Sequence, residues 1–187
     1  MPYKIKTAPG TEPLTTAEAK AHMNVTISAD DSYIDTLITA ARLYVEDKIR
    51  RSLITQTVEA YFDSFHGCIE LERGPVQAVS SIKYTDADGV QQTLASTEYD
   101  VDLVSSPPRI VPAYGKSWPS TRDVMNSVVI DYDAGYGSAA DVPQPIKHAM
   151  LLFVGHLYEN RESVITGTIV SEAPQGVEAL LLPYKVW

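Results

Sequence analysis

Residues 30–62 read DDSYIDTLITAARLYVEDKIRRSLITQTVEAYF, and the hydrophobic period changes within them. Asp30 or Asp31 caps a helix that runs to about Arg51. Its apolar residues Ile34, Leu37, Ile38, Ala41, Leu43, Tyr44, Val45 and Ile49 mostly keep the three-and-four spacing of one buried face. Glu46 with Arg50, and Asp47 with Arg51, are acid-before-base pairs four apart, each worth a few tenths of a kcal/mol. At the rise of an α-helix this rod is about 33 Å long. From Thr55 to Phe62, β-branched and aromatic residues take over and predict a strand.

Working outward, the N-terminal side adds a short helix from Leu14 to Met23 with a threonine cap. On the other side, residues 53–137 read as strands. Ile69-Glu70-Leu71-Glu72 and Tyr99-Asp100-Val101-Asp102-Leu103 alternate, so each buries one face. Ser81 to Thr85 and Val90 to Leu94 flank Asp86-Ala87-Asp88-Gly89, a hairpin signal. Pro107, Pro108 and Pro112 leave room only for a short edge strand at Arg109-Ile110-Val111. Ser127 to Asp133 is the last strand, before the turn Gly135-Tyr136-Gly137. Helix returns after Pro143 and Pro145, with residues 149–154 apolar on nearly every side. Such a helix needs its own core, and a neighbouring subunit, to enclose it. Residues 163–176 predict a loop or hairpin, and Gln175 to Leu182 a last short helix. The expected organisation is α+β: an N-terminal helical part over 1–52, an inserted antiparallel β lobe over 53–137, and a C-terminal helix, loop and tail over 138–187.

The chain has 187 residues and a formal net charge of -9. Residues 53–137 hold five basic against twelve acidic groups, which opposes a surface that grips nucleic acid through phosphates. No apolar run is long enough to span a bilayer, and Met1-Pro2-Tyr3-Lys4-Ile5-Lys6 lacks a signal peptide's apolar stretch. The single cysteine, Cys68, excludes an internal disulfide framework.

Catalytic signatures are missing: there is no Walker loop, dinucleotide fingerprint, nucleophile elbow or zincin helix. His148 and His156 lie eight apart on one helix, too far to share a metal ion directly. His66 and Cys68, read as strand-like and two apart, have no acidic or cysteine partner nearby in sequence. Asp86-Ala87-Asp88-Gly89 lacks the later oxygen ligands of a calcium loop. Asp100 with Asp102, and Asp131 with Asp133, alternate outward onto a wet strand face. No metal, cofactor or catalytic residue is assigned, and the chain is not read as an enzyme.

The order of the pieces resembles the head–tail connector (adaptor) proteins of tailed bacteriophages, also described as phage DNA-packaging or head-completion proteins. The likeness runs through Leu14-Thr15-Thr16-Ala17-Glu18-Ala19-Lys20, Asp30-Asp31, Ile34, Leu37-Ile38 and Arg51-Ser52-Leu53-Ile54-Thr55-Gln56-Thr57. It continues in Arg73-Gly74-Pro75-Val76, Trp118-Pro119, Gly135-Tyr136-Gly137, Val142-Pro143, Tyr158-Glu159-Asn160-Arg161-Glu162 and Pro183-Tyr184-Lys185. The resemblance implies a structural virion protein that forms a dodecameric homo-oligomeric ring in the neck. It would sit beneath the portal protein, extend the channel for genomic DNA without sequence-specific binding, and offer a surface to the next tail-side component. No membrane is involved, and the chain would wait in host cytoplasm before assembly. The helices of residues 30–51 and 145–162 would form the ring body. Tyr44, Glu46, Arg50, Arg51, Phe153, His156, Tyr158 and Arg161 are its subunit-interface candidates. Leu180, Leu181, Leu182, Pro183, Tyr184, Lys185, Val186 and Trp187 are the portal-docking candidates, with Tyr184 and Trp187 as anchors. The rival reading is a carbohydrate-binding or baseplate-type β module, which explains the flanking helices poorly.

Overall fold

The computed structural model describes residues 2–161 and 175–186. The chain falls into two compact units, residues 11–54 with 137–187 and residues 1–10 with 55–136.

The first of these is helical. Helix α1 (Thr16–Met23) starts on a complete capping box: Thr15 accepts from the Glu18 N–H, and the Glu18 carboxylate accepts from the Thr15 N–H. Helix α2 (Asp31–Ile49) buries Ile34, Leu37, Ile38, Ala41, Val45 and Ile49, the stripe its sequence spacing predicts. Leu43 falls off that stripe and is exposed. The helix ends at Arg50, which adopts the left-handed conformation (φ 54°) where glycine is the usual occupant. Helix α3 (Gln144–Glu159) buries Ile146, Ala149, Met150 and Val154. Leu151, Leu152, Phe153 and Leu157 are only half-buried, so the over-apolar helix is not enclosed by the described residues of its own unit. Helix α4 (Gln175–Leu181) buries Val177 and Leu181, and a 3₁₀ turn over Leu182–Tyr184 follows it.

The second unit is built of antiparallel strands. Strands β1 (Tyr3–Thr7), β2 (Gln56–Phe62), β4 (Val76–Thr85), β5 (Gln91–Thr93) and β8 (Val128–Ala134) form one sheet in the order β1-β2-β8-β4-β5. Strands β3 (Ile69–Glu70), β6 (Tyr99–Asp102) and β7 (Arg109–Pro112) form a second, in the order β3-β7-β6. Val58, Ala60, Ile82, Val128, Ile130, Tyr132 and Ala134 of the larger sheet pack with Ile69, Tyr99 and Ile110 of the smaller in one core. The β4–β5 hairpin forms as its turn signal predicts: Asp86 Oδ1 accepts from the Asp88 and Val90 N–H groups, and Gly89 takes φ 86°.

Four features depart from the sequence expectation. Two sheets stand where one was read. Tyr3–Thr7 is a strand on the edge of the larger sheet, paired with β2. Arg109–Pro112 is the central strand of the smaller sheet rather than an edge. The prolines permit this because they bracket the ladder: Pro108 supplies a carbonyl to the Leu71 N–H, and Pro112 ends the pairing opposite Tyr99. His66 to Cys68 lies in a loop, not a strand.

Candidate functional site

On the outer face of the larger sheet, β1 places Lys4 and Lys6 over acids from β2 and β8. Lys4 Nζ lies 2.6 Å from Glu59, and Lys6 Nζ lies 2.7 Å from Asp131, which Lys83 approaches at 3.8 Å. The Lys4 ammonium and the Tyr61 hydroxyl hold the Glu59 carboxyl below the usual range, while Glu59 raises Lys4. Asp131 is therefore 5% exposed rather than wet, covered by lysine stems that the sequence spacing did not reveal. Asp133 takes hydrogen bonds from Thr57 (2.8 Å) and Ser80 (3.4 Å). In the smaller sheet Asp102 accepts from the Ser105 hydroxyl at 2.6 Å and Arg109 at 2.7 Å, and both hold it well below the ordinary carboxylate range. These acids are engaged in structural bonds, not paired across a cleft for proton transfer. Lysines on an edge strand, with a register irregularity between Ile5 and Thr7, also discourage open-ended sheet pairing at β1. Among the described residues no cluster of three or more His, Cys, Asp or Glu could hold a metal ion, and no helix is long and apolar enough to cross a membrane.

The subunit-interface candidates fall into distinct groups in the helical unit. Tyr44 of α2 and Phe153 of α3 stack at 4.3 Å and 17°, with the Lys48 ammonium 5.6 Å from the Tyr44 ring centre. Tyr158 donates to Asp30 Oδ2 at 2.6 Å, and Arg161 reaches the same oxygen at 3.2 Å. The Arg161 guanidinium lies 4.8 Å from the Tyr33 ring centre and 5.0 Å from that of Tyr158. His156 is half-buried, and its carbonyl accepts from Asn160. Glu46 is an interior group: it pairs with Arg42 at 3.2 Å and accepts the Leu53 N–H at 2.9 Å. Arg51 turns inward to donate to the Tyr184 carbonyl at 2.7 Å. Arg50 points to solvent. Asp30 and Tyr33 are partners that sequence reading missed because contacts between helices carry no sequence period, whereas Arg42 stands four residues before Glu46 on α2 itself.

The portal-docking candidates are seated on their own unit. Leu181 is 4% exposed, whereas Leu182 is 58% exposed and Pro183 and Lys185 are exposed too. Leu180, Tyr184 and Val186 are half-buried, and the Val186 N–H donates to the Ile49 carbonyl at 3.1 Å. Lys48, Ile49, Glu178, Leu181, Leu182 and Lys185 line a small open pocket there. Trp187, and all but the last two residues of the predicted loop 163–176, lie outside the described residues.

Several carboxyls share a low affinity for protons. Tyr158 does this for Asp30, Thr15 for Glu18, Lys4 for Glu59, Gln92 for Asp86 and Ser105 for Asp102. A carboxyl depressed in the folded state contributes stability that is present above its unfolded value and is lost as the pH falls towards the folded one. The melting temperature should thus be flat from neutrality down to about pH 5 and drop below about pH 4. A melting temperature that rose on acidification would contradict these bonds.

Comparison with known proteins decides the family. The model described as "Phage gp6-like head-tail connector protein" matches residues 14–108. The chain belongs to that connector family. Its role is structural, as a connector of the virion neck. Solved structures agree along the whole connector chain. "Neck of empty GTA particle computed with C6 symmetry" matches with TM-score 0.81 and 24% identity over 100% of this chain and 96% of that one. "Virion of native gene transfer agent (GTA) particle" matches with TM-score 0.82 and 23% identity over the same shares. "Neck of native GTA particle computed with C12 symmetry" gives TM-score 0.75 and 25% identity, again over 100% and 96%. No curated protein matches the chain.

Proposed function

We propose that this connector assembles as a ring of identical copies between the portal and the tail-side components, leaving a channel for the genome. One observation carries the reading: a connector-family chain takes, over its full length, the fold of a chain in a particle neck computed with C12 symmetry. Half-buried Leu151, Leu152, Phe153 and Leu157 on α3 support it, since copies packed side by side supply the missing cover. The net charge of -9 suits a passage that does not grip the DNA running through it. In this reading residues 53–137 are a lobe inserted in the sequence of the helical ring body, and the chain is a structural part rather than an enzyme. The full-length likeness includes the four helices among the described residues, which a carbohydrate-binding β module does not need.

The segment from Leu180 to Trp187 remains the portal-facing element we propose, with Leu182 as its most exposed large apolar group. Deleting it would also strip Leu181 and the Val186–Ile49 bond from the helical unit. Leu182→Asp is the cleaner test. That variant should fold with an unchanged melting temperature and fail to bind portal-bearing heads. Particles lacking the whole chain should be filled heads without tails. Infectious tailed particles from a strain lacking it would overturn the connector reading.

A further inference from the structure

Two charged side chains stand apart in the helical unit. Among its described residues, the other lysines and arginines all have partners. Lys20 is held by Asp31, Arg42 by Glu12 and Glu46, Lys48 by Glu178, Lys147 by Glu18, Arg161 by Asp30 and Arg51 by the Tyr184 carbonyl, and Lys185 is also engaged. Arg50 alone is exposed with no such bond. The acids divide the same way. Asp35 accepts from Thr16, Asp141 from Ser138, and Asp47 is engaged, but Glu159 is exposed and unbonded.

Each also sits where its own helix disfavours it. Arg50 holds a left-handed backbone (φ 54°, ψ 40°) that glycine adopts without steric cost. Glu159 is the last residue of α3, where the helix dipole favours a cation rather than an acid. Local stability accounts for neither residue.

The two cannot satisfy each other within one chain. Arg50 follows the end of α2, whereas Tyr158 and Arg161, on either side of Glu159, are bonded to Asp30 at the start of α2. Nineteen helical residues separate those ends, about 28 Å. A lone cation and a lone anion at opposite ends of one rod are what a head-to-tail contact between identical copies requires, since in a ring each patch meets a different patch on its neighbour.

We propose that Arg50 of one copy pairs with Glu159 of the next copy around the ring. This rests on the ring reading above. The pair fixes the direction and register of the ring contact, and exposed Leu43 of α2 with the half-buried apolar side chains of α3 supplies the area.

The test uses assembled particles. Arg50→Glu and Glu159→Arg should each lower incorporation into necks about tenfold by setting like charges face to face, and the double reversal should return it to within about twofold. Arg50→Gly should raise the melting temperature and still reduce incorporation, which separates the contact from folding. With Cys68→Ser as background, particles carrying both Arg50→Cys and Glu159→Cys should give a ladder of linked oligomers with a short bis-maleimide. A mixture of the two single cysteine variants should stop at dimers. If wild-type rings form but the double reversal gives no rescue and the cysteine variants no cross-linking, the pair is overturned and the connector reading stays intact. Arg50→Glu that loses packaged DNA while rings form normally would assign Arg50 to phosphate instead, and overturn it as well. Wild-type particles with no ring of this chain would sink both.

Discussion

Glu46→Leu should destabilise the protein by about 3 kcal/mol, the cost of stranding one member of a buried ion pair. The Glu46 side chain is 4% exposed and that of Arg42 9%, so water cannot replace either partner. One carboxylate oxygen lies 3.2 Å from Arg42 Nη1, and the other takes the Leu53 N–H at 2.9 Å. Removing the carboxylate leaves the guanidinium to Glu12 alone, 2.7 Å from its Nε, and withdraws that acceptor from Leu53. The second loss matters for function, because the Leu53 bond closes the chain over residues 50–53, which carry Arg50 and Arg51. Urea denaturation followed by circular dichroism should therefore show a lower midpoint, and particle assembly should show a protein that no longer enters necks. A loss below about 0.5 kcal/mol would place Glu46 among ordinary surface acids. Replacing Arg42 by Met alone, and both residues together, completes the cycle. The double variant should cost less than the sum of the singles, since two apolar side chains leave no buried charge behind.

Tyr132→Ala should cost about 4 kcal/mol, the upper part of the range for emptying an aromatic site in a close-packed core. Tyr132 is fully buried on the central strand β8, between β2 and β4. Its hydroxyl donates to the Glu72 carbonyl at 2.7 Å, and burial pushes its pKa up, so it stays neutral at any working pH. Tyr132→Phe keeps the ring and removes only that bond, and should cost about 1 kcal/mol. The difference between the two variants isolates packing from hydrogen bonding. Near-equal losses would mean the hydroxyl, not the ring, holds the two sheets together.

The family and the element types were legible because both are carried by local order. The 3.6-residue spacing from Ile34 to Ile49 gave the main helix, and Thr15 with Glu18 marked the start of the first one. The acid-glycine turn at residues 86–89 gave the hairpin. Reading failed where the deciding contact lay far along the chain. Tyr3-Lys4-Ile5-Lys6-Thr7 does alternate, yet five residues at a terminus become a strand only because β2, more than fifty positions later, offers a free edge. Prolines around Ile110 suggested an edge, but a proline matters only where the ladder needs its missing N–H, and here it does not. Glu46 stands four residues from both Arg42 and Arg50, so spacing alone does not choose between them, and the structure gives it Arg42 and the Leu53 N–H.

From its sequence alone, this protein had a helix–sheet–helix order, an acidic balance and a connector's run of structural residues, because periods and turn chemistry act over a few neighbours. Only the tertiary structure decided which charges in the described helical unit are used up within it, leaving Arg50 and Glu159 exposed and unbonded there. Pairing of that kind depends on distance in space, and no spacing along the chain records it.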